Sequence, residues 1–163
     1  MEEPLKESNG ATCPPNCIYK QWVFRLLVGA QFIVAALIVL TLKHPGHRRE
    51  LWAFVLAGFA VWFAGWMAIG ARQVRVGPRP AADGQLVRRG PYRWIRHPMY
   101  AGLMLAALGF ILSDATLYGW QLGLSLMVVL RIKSGYEEQE LSLRFPDYAE
   151  YCRTTKRFVP FLW

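Results

Sequence analysis

Acidic residues are scarce in this chain: 11 Asp and Glu face 19 Lys and Arg, for a net charge of +8 over 163 residues. Charge of either sign is thin, at 18% of positions, while 54% are hydrophobic, high for a soluble protein of one-domain length. Cysteine is rarer still, limited to Cys13 and Cys17 in "CPPNC" and Cys152 near the other end. A metal centre wants about four soft ligands at short spacing. His44 and His47 are too few and too remote in kind to complete one, so no metal is expected. The thiols read most simply as unremarkable groups in a reduced compartment, with a Cys13–Cys17 disulfide open if the N-terminus faces an oxidising space. A secretory leader is not expected either. "MEEPLKESNG" mixes acids and bases and lacks the basic-then-apolar layout, so the first apolar run is expected to stay in the mature protein. No internal repeat is evident.

Long apolar runs are what the chain has in plenty. Residues 22–42 and 51–71 each supply enough mostly apolar positions, at 1.5 Å per residue, to cross about 30 Å of hydrocarbon. Arg25 is the one charge inside them and lies close enough to a helix end to snorkel. Two shorter runs, 99–113 and 115–130, reach about 22 to 24 Å and are separated by little more than Asp114, which reads as a tight helical hairpin. The expected architecture is all-α, an integral membrane bundle of about four transmembrane helices. A polar segment occupies 1–20, two spans occupy 21–71, and 72–163 holds the chemistry.

Between the second and third runs, Arg72, Arg75, Arg79, Arg88, Arg89, Arg93 and Arg96 face one acid, Asp83, so most of the net charge sits there. By the positive-inside rule this loop is cytoplasmic, and four helices then put both termini on that side. The first connection, "KHPGHRRE", is basic too and would face the other way. A basic stretch bracketed by spans is better explained by topology and anionic membrane lipid than by nucleic acid, which is not expected as a partner.

Candidate chemistry collects in the second half. Pro98 suits the first turn of the third helix. Arg131 and Lys133 read as the return to water at the end of the fourth. A separate polar helix over 135–145 follows, and Pro146 must end it. Tyr148 and Tyr151 are most simply aromatic anchors, and the tail "KRFVPFLW" has the make-up of a membrane-interface anchor. In "GPYRWIRHPMYAG", residues 90–102, Arg96, His97 and Tyr100 lie within one turn at the mouth of the third helix. A tight hairpin returns Glu137 and Glu138 to the same side, so these groups should converge about one helix diameter apart. A helix N-terminus suits an anion, carboxylates suit ribose hydroxyls or an ammonium, and Tyr92, Trp94 and Tyr100 can stack on a purine or face a cation. Each has a plainer reading alone: a topology signal for Arg88, Arg89 and Arg93, a structural hydrogen-bonder for His97, a solvated helix face for the glutamates. As a set they fit a zwitterionic nucleoside with a positive centre. Arg25 and Gln31 either make polar contacts inside the bundle or simply pack helix to helix.

The stretch "LVRRGPYRWIRHPMYAG", followed beyond a hydrophobic hairpin by "EEQELSLRFPDYAEYCRTTKRFVP", closely resembles the C-terminal half of the isoprenylcysteine carboxyl methyltransferase family and its bacterial relatives, in the wider group that includes phospholipid methyltransferases. The resemblance covers residues 86–160 and rests on an ordered series: Gly-Pro-Tyr-Arg, Arg-His-Pro-x-Tyr, the double glutamate and a late proline. It implies an integral membrane enzyme using S-adenosylmethionine, its cofactor pocket formed by the C-terminal part and capped from the cytosol by a helical segment. A lipophilic acceptor would enter laterally from the bilayer, with O-methylation of an isoprenylcysteine-like carboxylate the reaction the family suggests. Carried over by motif, Tyr92, Arg96, His97, Pro98, Met99, Tyr100 and Glu137 would line the cofactor site. Glu138 would stand near the methyl-transfer point, and Arg131 would orient an anionic group there. The sequence departs from the family at Pro146, where glycine is common, and at Tyr136, where a basic residue is common.

A sulfonium methyl is already activated, so alignment of the nucleophile is the main task, worth roughly 7 to 11 kcal/mol. An anionic acceptor needs no base, whereas a protonated amine or thiol must give its proton to a group such as Glu138 or His97. A small thiol, a phospholipid amine and an isoprenoid carboxylate all suit lateral entry. Two rival readings are an NADPH-dependent membrane reductase related to sterol reductases, which are much longer, and a non-catalytic membrane scaffold.

Overall fold

A computed structural model describes residues 15–42, 48–70 and 86–159. The helices are α1 (Pro15–Thr41), α2 (Arg49–Ile69), α3 (Pro98–Asp114), α4 (Leu117–Arg144) and α5 (Tyr148–Thr154), with a 3-10 turn at Gly90–Arg93. The described residues form no strand, only a parallel bridge between Ile95 and Lys156. Cys13, His44, His47, Arg72, Arg75, Arg79 and Asp83 lie outside the described residues, and with them the disulfide and much of the loop-charge expectation.

Gln21–Thr41 and Arg49–Ile69 are long and apolar enough to cross a hydrocarbon layer, and only 11% of each is buried. The core helix of a soluble protein would be mostly buried, whereas these present Trp22, Leu26, Phe32, Leu40, Leu56, Phe59 and Met67 to the surroundings. Arg25 lies on an exposed face, its guanidinium over the Trp22 ring. Helix α3, at 17 residues, is about 25 Å long.

The helix ends follow local chemistry. Pro98 occupies the first turn of α3, where a missing N–H costs nothing. The hairpin turns at Ala115, which takes a left-handed φ of 48°. Thr116 then caps α4, its hydroxyl oxygen accepting from the Gly119 N–H at 3.1 Å.

The expected break after the fourth apolar run does not occur. Helix α4 continues for 28 residues through Gly135 to Arg144, so the run over 115–130 and the polar helix over 135–145 are one rod. Lys133 does not mark a return to water: it is 7% exposed. Its ammonium donates to Gln31 Oε1 on α1 at 2.8 Å and lies over the rings of Phe24 and Tyr100. Partners on two other helices make the charge tolerable inside. Gln31 therefore makes a polar contact within the bundle.

Helix α2 packs along α3, and α1 along α4. The core between them is Ile38, Leu42, Ala107, Phe110, Ile111, Leu122, Leu126 and Leu130. The α2–α3 contact depends on glycine: a Cβ at Gly58 would meet the Gly102 carbonyl and the Ala106 amide nitrogen at 2.5 Å, so the two backbones touch. That approach brings the N-terminus of α3 against Gly65, where a Cβ would meet Pro98 and Met99 at 3.1 Å. Gly102→Val is expected to lower stability by about 1–3 kcal/mol through overpacking. Gly29→Ala, at an open position, should not. Thermal melting in detergent checks both.

Candidate active site

The loop before α3 is stitched to the C-terminal tail by main-chain hydrogen bonds. The Arg96 N–H donates to the Lys156 carbonyl (2.7 Å), the His97 N–H to that of Arg157 (3.0 Å), and the Lys156 N–H to that of Trp94 (2.9 Å). This corrects the reading for Arg157 and Phe158, which turn inward instead of anchoring at an interface, with Phe158 7% exposed, while 160–163 of that tail lie outside the described residues. Tyr148 and Tyr151 are likewise buried, not anchors. The Tyr151 hydroxyl donates to the Tyr92 carbonyl at 2.7 Å, and burial above all pushes its pKa up to about 12, so it stays a donor. Pro146 ends α4 by holding Phe145 extended (φ −111°, ψ 110°). The Phe145 carbonyl then accepts from the Tyr148 N–H at 3.0 Å, starting α5.

These folds close a charged cluster around Glu138. Its carboxylate accepts from Arg96 Nε (2.9 Å) and Arg157 Nε (3.1 Å), pairs with Arg157 Nη2, and lies 3.3 Å from His97 Nε2. Glu137, one residue earlier, accepts from the Tyr100 hydroxyl at 2.5 Å and lies 3.5 Å from His97 Nδ1. His97, 7% exposed, thus spans both carboxylates, its ring parallel to that of Tyr100 with centroids 5.3 Å apart. Arg96 also donates to the carbonyls of Cys152 (3.2 Å) and Thr155 (2.5 Å), tying α5 to the cluster.

The electrostatics follow from burial set against pairing. Burial opposes charge on His97, but hydrogen bonds to Glu137 and Glu138 outweigh it and raise its pKa above the ordinary 6.5. Burial would also raise the Glu138 pKa, yet His97 and Arg96 hold it below the usual carboxylate range.

Arg96, His97, Tyr100, Glu137 and Glu138 therefore come into direct contact, closer than the expected helix diameter. Tyr92 is buried nearby, within electrostatic reach of Glu137. Pro98 and Met99 pack against α2 at Gly65. Arg131 sits on an exposed face of α4, whereas Lys133 points into the bundle. Sequence reasoning missed Arg157, whose only signal was its place in "KRFVP" before the late proline. It also misread Lys133 for want of any view of α1.

Glu138→Gln should destabilise the protein by about 3–5 kcal/mol, because it strands charges that are largely buried. His97 contributes the opposite pH sign to a paired carboxylate. Its raised pKa makes its stabilisation complete below about 6.5 and lost as pH rises through the folded-state value. The melting-temperature gap between wild type and His97→Gln should thus be wider at pH 5.5 than at pH 9 in about equal ionic strength. A gap that widens with pH would contradict this.

A family model described as phospholipid methyltransferase matches residues 50–147, from the first turn of α2 to the corner before α5. The chain is 29% identical over 138 residues to the cobalt-zinc-cadmium resistance protein CzcN of Cupriavidus metallidurans, the match covering 70% of this chain. The chain spans 64% of the length of that relative. The match over residues 50–147 takes in more than half of the chain, including the Arg96–Tyr100 turn and the Glu137-Glu138 pair, and the chain belongs to the phospholipid methyltransferase family.

Proposed function

We propose that this chain is a multi-pass membrane methyltransferase that uses S-adenosylmethionine and acts on a lipophilic acceptor, with an isoprenylcysteine-like carboxylate as the reading that the family resemblance suggests. One observation carries it. The Arg-His-Pro-x-Tyr turn and the double glutamate, 41 residues apart at His97 and Glu138, close into a single buried cluster at one end of an apolar bundle. Family membership points to methyl transfer, and the two apolar helices support a membrane setting. The exposed Leu117, Leu124, Met127, Val128 and Ile132 of α4 extend the lipid-facing surface and favour a third and fourth span. The arginine-rich loop favours a cytoplasmic site and cytoplasmic termini.

The residues present fit the cofactor. Arg157 Nη1 is buried without a hydrogen-bond partner among the described residues, a donor suited to a carboxylate. Glu137, bonded to Tyr100 and His97, keeps acceptor lone pairs suited to an ammonium or a ribose hydroxyl. When bound, the cofactor supplies an electrophilic methyl on a sulfonium. Glu138 is a poor general base in this arrangement, because each of its oxygens is held by a cation and its pKa is lowered. Its role in this reading is positioning: it fixes Arg96, His97 and Arg157. Arg131, exposed on α4, would reach an anionic group only from outside the cluster.

Calorimetry on protein in nanodiscs tests the reading. S-adenosylmethionine and S-adenosylhomocysteine should bind with micromolar affinity, and His97→Ala should weaken both by about 10-fold or more, the scale of losing charge-assisted contacts. Reduced nicotinamide dinucleotide phosphate should not bind. Binding of the nicotinamide instead would favour a reductase, and binding of neither by folded protein would favour a scaffold.

A further inference from the structure

Lys133 is a buried cation that the cofactor site leaves unused. Arg96, Arg157 and His97 are each bonded to Glu137 or Glu138. The hydrogen bond of Lys133 goes to a neutral amide, Gln31 Oε1, and its other neighbours are the faces of Phe24 and Tyr100, the latter 4.8 Å from Nζ. It forms no ion pair among the described residues. Glu137, one turn further along α4, is bonded to Tyr100 and His97 and acts on Lys133 only through space. An ammonium has three N–H donors, so this one keeps donors to spare in a place where unpaired charge is costly.

The charge balance points the same way. Around Tyr100 the fixed cations Arg96, Lys133 and Arg157 outnumber the carboxylates Glu137 and Glu138, and a protonated His97 widens the excess. A sulfonium cofactor carrying an ammonium and one carboxylate adds a further positive charge. A protonated amine brought to this site would meet repulsion that low dielectric strengthens, while an anion would relieve it. Lys133 is also the member of the set that adjoins the apolar interior of the bundle, by Leu130 on α4 and Phe24 on α1.

Resting on the methyltransferase reading above, we propose that Lys133, oriented by Gln31, is the specificity-determining residue that receives the anionic group at the polar end of a lipophilic acceptor. That group is either the nucleophile itself, a carboxylate or thiolate, or a phosphate beside it. If it is the nucleophile, its own lone pair forms the new bond to the methyl carbon. The pair from the broken C–S bond stays on the cofactor sulfur, the products are a neutral ester or thioether and S-adenosylhomocysteine, and no proton is released. This agrees with a site whose glutamates are tied up in pairs.

The test uses the full chain in nanodiscs and three probes with one tail: farnesylthioacetate, farnesyl monophosphate and farnesylamine. At least one anion should bind wild type about 10-fold tighter than the amine. Lys133→Met should abolish that preference and Lys133→Arg should keep it, about the scale of one charge-assisted hydrogen bond. S-adenosylhomocysteine affinity should be unchanged in both variants. The thioacetate or the phosphate, whichever is preferred, tells a carboxylate nucleophile from a headgroup phosphate. Equal binding of all three probes, no binding of any, a preference for the amine, or a preference that survives in Lys133→Met would each overturn the proposal. If Lys133→Met does not fold, the wild-type ranking and Lys133→Gln decide. Probes sorted by charge without any S-adenosylhomocysteine binding would overturn the methyltransferase reading and leave the anion subsite standing.

Discussion

The carboxylate of Glu138 is where three distant pieces of chain are tied together. It receives Arg96 and His97 from the loop entering α3 and Arg157 from the tail beyond α5. Such a knot contributes little net stability compared with an apolar core of the same shape, since desolvation offsets most of the attraction. What it supplies is a fixed arrangement, because removing any member leaves the others charged and largely buried. The tail, the corner at Pro146 and the turn of α3 hold their positions relative to one another through it. The main-chain bonds from Arg96 and His97 to residues 156 and 157 reinforce that frame.

The bundle delivers the pieces to that point. Gly58 and Gly102 let α2 and α3 touch backbone to backbone, which sets where the α3 N-terminus lies and turns Pro98 and Met99 against Gly65. On the other side, α1 follows α4, and the Lys133–Gln31 hydrogen bond joins them just beneath the Tyr100 ring. An apolar exterior and a charged end coexist because every charge in the cluster meets another helix or the tail, while the lipid-facing surfaces carry Trp, Phe and Leu.

Much of this was legible in the sequence. The two long apolar runs, the hairpin at Asp114, Pro98 at a helix start and Pro146 at a helix end all depend on local chemistry: run length, φ restriction and the missing N–H. The convergence of His97 and Arg96 with the glutamate pair also followed from the hairpin, and contact proved closer than one helix diameter. The misreadings share a cause. Lys133 looks like an exit to water, and 135–145 like a separate helix, because a window along the chain counts charge without seeing Gln31 and Phe24. Tyr148, Tyr151, Arg157 and Phe158 look like membrane anchors because cationic and aromatic residues suit an interface equally well when their partners are unknown.

The helical class, the membrane-length runs, the ends of most helices and the family motifs are written in neighbouring residues and can be read there. How the charges are shared is a matter of the folded bundle. It spent Arg96, Arg157 and His97 on the glutamates, set Arg131 on an exposed face, and drew Lys133 into the bundle without an ion-pair partner among the described residues. Sharing of that kind depends on distance in a low-dielectric interior, and distance between remote segments is set by packing, not by spacing along the chain.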